Sequence, residues 1–255
     1  MASDTPSKNE MDSGAGYKNI DESNMKSIAE NIQTVTNDVE YMEQHYGRSE
    51  GSVRLIAASK TQSAERIAEA YQAGVRNFGE NYLQEALEKQ KLLAEQEITW
   101  HFIGPIQSRK ARDIASHFDW VHSVDRLVVA EKLSRFRPVE MEPLKVCIQV
   151  NIDNEANKSG IAEDQVEVLA EQINALPGLE LRGLMCLPKP QQLLLQQRVP
   201  FQKLAELLEK LQSRMPRIDT LSMGMTQDME AAIIEGATFV RVGTGIFGPR
   251  ESRNT

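Results

Sequence analysis

The sequence predicts an α/β fold: a single (β/α)8 barrel with an extra helix at its N-terminal side. Three observations predict it. Eight short β-rich runs alternate with helical patterns along the chain, the signature of parallel βα units. The length, 255 residues, fits eight such units closed into one barrel better than an open doubly wound sheet. Polar and glycine residues gather where the β-runs end, at the face where barrels of this kind carry their sites.

The elements follow in order. Residues 1–22 are rich in Ser, Asp, Asn and Gly; they bury too little apolar surface to offset ordering and are expected to form a disordered polar tail ahead of a barrel at 23–250. Over 25–46, Ile28, Ile32, Val35, Val39 and Met42 recur at helical spacing, which predicts the leading helix. The β-runs are read at 53–58, 75–78, 98–103, 120–123, 144–150, 179–185, 218–223 and 239–242. Helices are read at 64–73, 83–93, 108–117, 126–136, 163–175, 200–215 and 229–235, with a short tail after the last strand. The stretch 188–199, dominated by Gln and Leu, reads as a partly helical loop.

Composition excludes several classes. The net charge is −8 with no basic stripe, which argues against a nucleic-acid partner. The longest apolar runs are strand-sized, short of a membrane span. The N-terminal segment lacks the apolar core of a secretory signal. Cys147 and Cys186 fall in different strands and outside any CxxC or Cys/His cluster. Two reduced, buried thiols in a cytoplasmic protein are expected, with no metal site. No exposed apolar stripe stands out, so a monomer is expected.

The strand ends carry the chemistry. Phosphate sites in this architecture are often built after strands seven and eight; here those loops read LSMGMTQD and RVGTGIFG. Ser222, Gly224, Gly243 and Thr244 offer backbone N–H groups and hydroxyls for such a cradle. Lys60 ends strand one, next to strand eight in a closed barrel. A lysine there forms an imine with an aldehyde when desolvation or a nearby cation lowers its pKa. A phosphate cradle beside such a lysine points to a phosphorylated aldehyde, pyridoxal 5'-phosphate first among them, held as a Schiff base on Lys60. Arg241 lies in an apolar strand on the parity of Phe239 and Gly243. Buried, it needs a partner, and a pyridine nitrogen is one. Because arginine stays protonated, it leaves that nitrogen unprotonated and the ring a weak electron sink.

The stretches AASKTQ, FGENYLQE, WHFIGPIQSRK, VHSVD, QVNIDNEANKSGI, LSMGMTQDMEAAI and VRVGTGIFG together resemble the YggS/PROSC family of pyridoxal phosphate homeostasis proteins, over roughly residues 28 to 249. The resemblance implies a barrel of the alanine racemase N-terminal type. It places Lys60 at the Schiff-base lysine, Asn81 near the cofactor ring and Arg241 at the pyridine nitrogen. Ser222, Gly243 and Thr244 become phosphate ligands, with the backbone around Gly224 assisting. It implies a carrier of pyridoxal phosphate without substrate turnover, with pyridoxal-phosphate-dependent apo-enzymes as recipients. Gly245 and Pro105 depart from the pattern, and the Pro105 loop is given no chemical role.

Other candidates read more plainly. Lys158 is expected to be a solvated loop lysine rather than a second cofactor-accepting amine. His101 is expected to be a satisfied core histidine, Glu80 and Asp125 surface or helix-capping carboxylates, and Asp228 a helix N-cap. The enzyme alternatives are an amino-acid racemase using the same cofactor and an aldolase-like barrel. Against the first, the chain ends shortly after the last strand, and no tyrosine ends a predicted strand. Against the second, no acid/base partner attends Lys60.

Overall fold

The computed structural model describes residues 27–249; the tail expected at 1–22 lies outside them. Eight strands close into a barrel, each parallel to its neighbours and with the last returning to the first. They are β1 (Arg54–Ala58), β2 (Asn77–Glu80), β3 (Thr99–Phe102), β4 (Trp120–Val124), β5 (Leu144–Val150), β6 (Leu179–Cys186), β7 (Thr220–Ser222) and β8 (Phe239–Val242). The surrounding helices are α1 (Ile28–His45), α2 (Ala64–Gln72), α3 (Leu83–Leu92), α4 (Ala111–His117), α5 (Leu127–Phe136), α6 (Val166–Asn174), α7 (Leu194–Gln212), α8 (Met229–Ile234) and α9 (Thr244–Phe247). Single 3-10 turns at Ser108–Lys110 and Glu163–Gln165 lead into α4 and α6.

Strand alternation sorts the side chains into two cores. Phe78, Phe102, Val121, Val146, Ile148, Val240 and Val242 belong to the core shared with the helices. Ile56, Trp120, Cys147, Met185 and Phe239 form a separate cluster inside the barrel. Arg241 shares the parity of Phe239, and its register partner is Ile56. The barrel interior therefore carries it, as the alternation predicted. Both cysteines are buried free thiols, and burial pushes each up to about 12.

The leading helix has a mechanical task. Ser27 and Glu30 form a capping box at its start, which fixes its first turn. Its apolar face, Ile28, Ile32, Val35, Val39 and Met42, is buried. Asn31 donates to the carbonyl of Ile246 at 3.0 Å, so α1 ties down α9 beside the barrel mouth. Arg66 of α2 donates to the carbonyl of Phe247 from the other side.

Several boundaries differ from the sequence reading by one to three residues, and three differences have a physical reason. β2 begins at Asn77, not 75, because the Val75 amide donates to the carbonyl of Ala70 and closes the end of α2. α7 begins at Leu194 and runs through Pro200. The sequence placed Pro200 in the first turn, where proline is favoured, but the helix formers ahead of it extend the helix by more than a turn. The tail after β8 is not plain coil: α9 turns immediately after Gly243.

Candidate functional site

The mouth of the barrel is built from the strand ends and the loops that leave them. Ser59, which follows β1, is fully buried and uses all its polar groups. Its amide donates to the carbonyl of Gly79 at 3.0 Å. Its hydroxyl donates to Glu80 Oε1 at 2.6 Å, and its carbonyl accepts from Lys89 Nζ at 3.0 Å. Lys60 is thus delivered to the mouth from an anchored backbone. Thr61, next in line, holds a left-handed backbone with φ 67°, a conformation that costs a branched residue about 1–2 kcal/mol and marks a turn fixed by its surroundings. Lys60 itself is half-buried.

Glu80 corrects the sequence reading. It is neither surface nor cap: it is fully buried and paired to Lys89 of α3 at 2.8 Å. Its place on the last residue of β2, facing α3, explains this. Burial raises its pKa against the opposing pull of Lys89 and the Ser59 hydroxyl. Asp125 is partly buried and bonded to Arg126 at 2.7 Å, so the surface assignment held only in part. Asp228 stands at the N-cap position of α8, yet its carboxylate accepts from the Met225 amide, inside the loop, rather than from the helix.

The loops after β7 and β8 meet beside β1. Gly224 has φ 91°, and a Cβ there would lie 2.6 Å from the Cβ of Ala232; only glycine lets this loop fold onto α8. A Cβ on Gly243 would come within 3.3 Å of the Ala58 carbonyl, and one on Gly245 within 3.5 Å of the Thr226 hydroxyl. Gly243 and Thr244 therefore stand next to the end of β1, where Lys60 emerges. Thr226 was not singled out from the sequence. Its signal lay in its place two residues after Gly224 in LSMGMTQD, in the loop that packs on Gly245.

Arg241 is almost fully buried and, among the described residues, hydrogen-bonded only to neutral groups: Nη1 donates to Ser222 Oγ at 2.8 Å and Nη2 to the Cys186 carbonyl at 3.0 Å. Burial lowers its pKa from the usual arginine range, though a guanidinium keeps its proton. Ser222 sits inside the barrel between Arg241 and His122 Nδ1, the latter at 2.8 Å. His122 in turn meets His101 at 2.9 Å, and His101 meets Asn77 Oδ1 at 3.0 Å. His101 is the satisfied core histidine the sequence suggested. His122 and Asn77 were missed, although His122 lies on the inward parity of Trp120 in β4. Asn81, after β2, keeps its Oδ1 buried without a hydrogen-bond partner among the described residues.

Across the mouth, a cavity of about 270 Å³ is lined by Asn81, Ile103, Pro105, Gln149, Asn151 and Lys158, among others. Lys158 is not simply solvated. It pairs with Glu155 at 2.5 Å and donates to the Leu187 carbonyl at 3.3 Å, linking the loop after β5 to the loop after β6.

This arrangement has the parts an aldehyde bearing a pyridine ring and a phosphate would use: an amine, a buried cation touched by no carboxylate, an unsatisfied acceptor and a hydroxyl- and glycine-lined cradle. Residues 24–251 match the family model for the alanine racemase N-terminal domain. The pyridoxal phosphate homeostasis protein of Pseudomonas aeruginosa is 53% identical over 227 residues, covering 89% of this chain and 97% of that one. The chain belongs to this family. The member from Vibrio cholerae is 52% identical over 235 residues, covering 90% of this chain and all of its own. Among solved structures, PipY of Synechococcus elongatus with pyridoxal phosphate bound superposes with TM-score 0.77 at 36% identity, covering 87% of this chain and all of PipY. Alanine racemase of Corynebacterium glutamicum, at 16% identity and TM-score 0.61, shares the barrel alone. Among the described residues no helix is long and apolar enough to cross a membrane.

Proposed function

We propose that this chain is a carrier that binds pyridoxal 5'-phosphate through the Lys60 amine and buffers it without turning over a substrate. The observation that carries the reading is the meeting, at one side of the barrel mouth, of anchored Lys60, the cradle at Gly224, Gly243 and Thr244, and the carboxylate-free cation Arg241. Family members are named for pyridoxal phosphate homeostasis, and PipY has been seen with the cofactor bound. Bound pyridoxal phosphate supplies an aldehyde that condenses reversibly with an amine as water leaves.

The residues around it hold rather than react. Arg241 would face the ring nitrogen, Asn81 would lie near the ring with its buried Oδ1 open to a donor, and the loops after β7 and β8 would hold the phosphate, with Thr226 adding a hydroxyl. The imidazoles of His101 and His122 spend both nitrogens on neighbours, and Glu80 is committed to Lys89 and Ser59. Proton transfer to a substrate lacks a ready acid/base pair among these groups. As part of this reading, the protein is a cytoplasmic monomer and its recipients are pyridoxal-phosphate-dependent apo-enzymes.

The test is spectroscopic. Protein loaded with pyridoxal phosphate is expected to show the visible band of the lysine-bound cofactor, and Lys60→Ala to lose most of it. An unchanged band in Lys60→Ala refutes the assignment, and sustained racemisation or transamination of amino acids by the unsubstituted protein refutes the carrier reading.

A further inference from the structure

A chain of hydrogen bonds crosses the barrel interior and ends on Arg241. It joins Asn77 Oδ1, His101 Nε2 and Nδ1, His122 Nε2 and Nδ1, Ser222 Oγ and Arg241 Nη1, at successive distances of 3.0, 2.9, 2.8 and 2.8 Å. Its members come from β2, β3, β4, β7 and β8. Both rings and Ser222 are wholly buried. We propose that this chain is a one-way donor relay that fixes the Arg241 guanidinium, and that Ser222 is a positioning residue within it rather than a phosphate ligand.

The direction follows from donor and acceptor counting. A guanidinium only donates, so Ser222 Oγ accepts from Arg241. The serine proton then goes to His122 Nδ1. A neutral ring that accepts at Nδ1 carries its proton on Nε2, so His122 donates to His101 Nδ1. By the same rule His101 donates from Nε2 to Asn77 Oδ1. Every group is satisfied. In the reverse direction Ser222 would receive two protons and have to place its own elsewhere. A proton added to either ring turns an acceptor into a donor facing a donor. Burial opposes that proton, as do Arg241 and Arg54 near His122, and Arg54 and Lys145 near His101.

The consequence reaches the site. Arg241 has flexible side-chain torsions, and Ser222 and the Cys186 carbonyl fix its plane at two points. The remaining donors are left for a ligand in a set orientation. With its hydroxyl spent at both ends, Ser222 is not aimed at the cradle of Gly243 and Thr244. The sequence resemblance made it a phosphate ligand; its neighbours here assign it to the ring end.

The inference rests on the reading of Lys60 as the point of attachment, and the experiment separates the two. In the cofactor-free protein with ¹⁵N-labelled histidine, NMR is expected to show both buried rings as neutral Nε2–H tautomers from about pH 5 to 8. An Nδ1–H tautomer at either ring, or titration of either ring near its ordinary pKa, overturns the relay without reference to any ligand. Affinity is then measured for pyridoxal phosphate and for pyridoxal, which lacks the phosphate. Ser222→Ala and His122→Phe are expected to weaken both by the same factor, about tenfold, and Ser222→Thr to restore most of it. Loss confined to pyridoxal phosphate in Ser222→Ala would make Ser222 a phosphate ligand and overturn the assignment. If neither aldehyde attaches to Lys60 in the unsubstituted protein, the carrier reading fails while the tautomer result stands or falls alone.

Discussion

At the end of the barrel opposite the mouth, Arg54 lies over the Phe239 ring at 3.9 Å, and Lys145 and Arg182 flank Trp120 at 5.7 and 5.6 Å. Asp219 bonds Arg182 there, and Arg54 is exposed. At the mouth, Arg241 is buried, and its hydrogen bonds go to a hydroxyl and a carbonyl. The same residue type thus meets opposite conditions in one interior. Cations that reach water, with a carboxylate among them, cover the apolar plug and contribute little individually to stability. A buried cation with only neutral partners is costly to keep. Its retention makes sense where a ligand brings an acceptor and negative charge. The fold places these water-reaching cations at one end and Arg241, buried and with no carboxylate among its hydrogen-bond partners in the described residues, at the candidate site.

The comparison breaks most openly at the two arginines. Arg241→Met is expected to weaken pyridoxal phosphate binding about ten- to hundredfold, the loss of one hydrogen bond to a charged group of roughly 1.5–3 kcal/mol. Arg54→Met is expected to leave binding within about twofold. Equilibrium titration of both variants measures this, and equal losses would erase the distinction.

A smaller effect lies in the pH dependence of folding. Burial first, then Arg241 and Arg54, hold His122 down to about 3, against about 6.5 in an unfolded chain. Between those values the unfolded chain binds more protons than the folded one. Stability is therefore complete above about pH 6.5 and falls with acidification, by about 2 kcal/mol from this ring at pH 5. Urea unfolding at the two pH values is expected to show His122→Phe with a shallower loss than the unsubstituted protein. Parallel losses would mean the ring takes up its proton while folded.

The smallest effect concerns Asn81, whose Oδ1 is buried and unpartnered. Asn81→Ala is expected to leave the cofactor-free protein as stable or up to about 1 kcal/mol more stable, while binding weakens about two- to tenfold. Thermal unfolding with and without pyridoxal phosphate reads both. A large loss of stability in the free protein would make Asn81 a structural residue.

The barrel was legible because most of the β-runs are apolar and strand-sized and the longer helices carry their own period. Arg241 was legible by parity with Phe239. What was not legible depends on contacts between segments far apart in sequence. Glu80 looks like a loop carboxylate until β2 is paired and Lys89 comes round from α3. Ser222 shows no sign of its contact with His122 until β4 is set beside it in the barrel. α9 gave no signal because Thr-Gly-Ile-Phe is too short for periodicity and is held by Asn31 and Arg66 from other helices. Pro200 misled because proline marks the first helical turn far more often than an interior.

The central claim is that Lys60, and not Lys158 across the mouth, holds the cofactor. Borohydride reduction of the protein loaded with pyridoxal phosphate, followed by peptide mass spectrometry, tests it most directly. The added pyridoxyl phosphate mass is expected on the peptide containing Lys60. Its appearance on Lys158 alone, or on no lysine, would contradict the account.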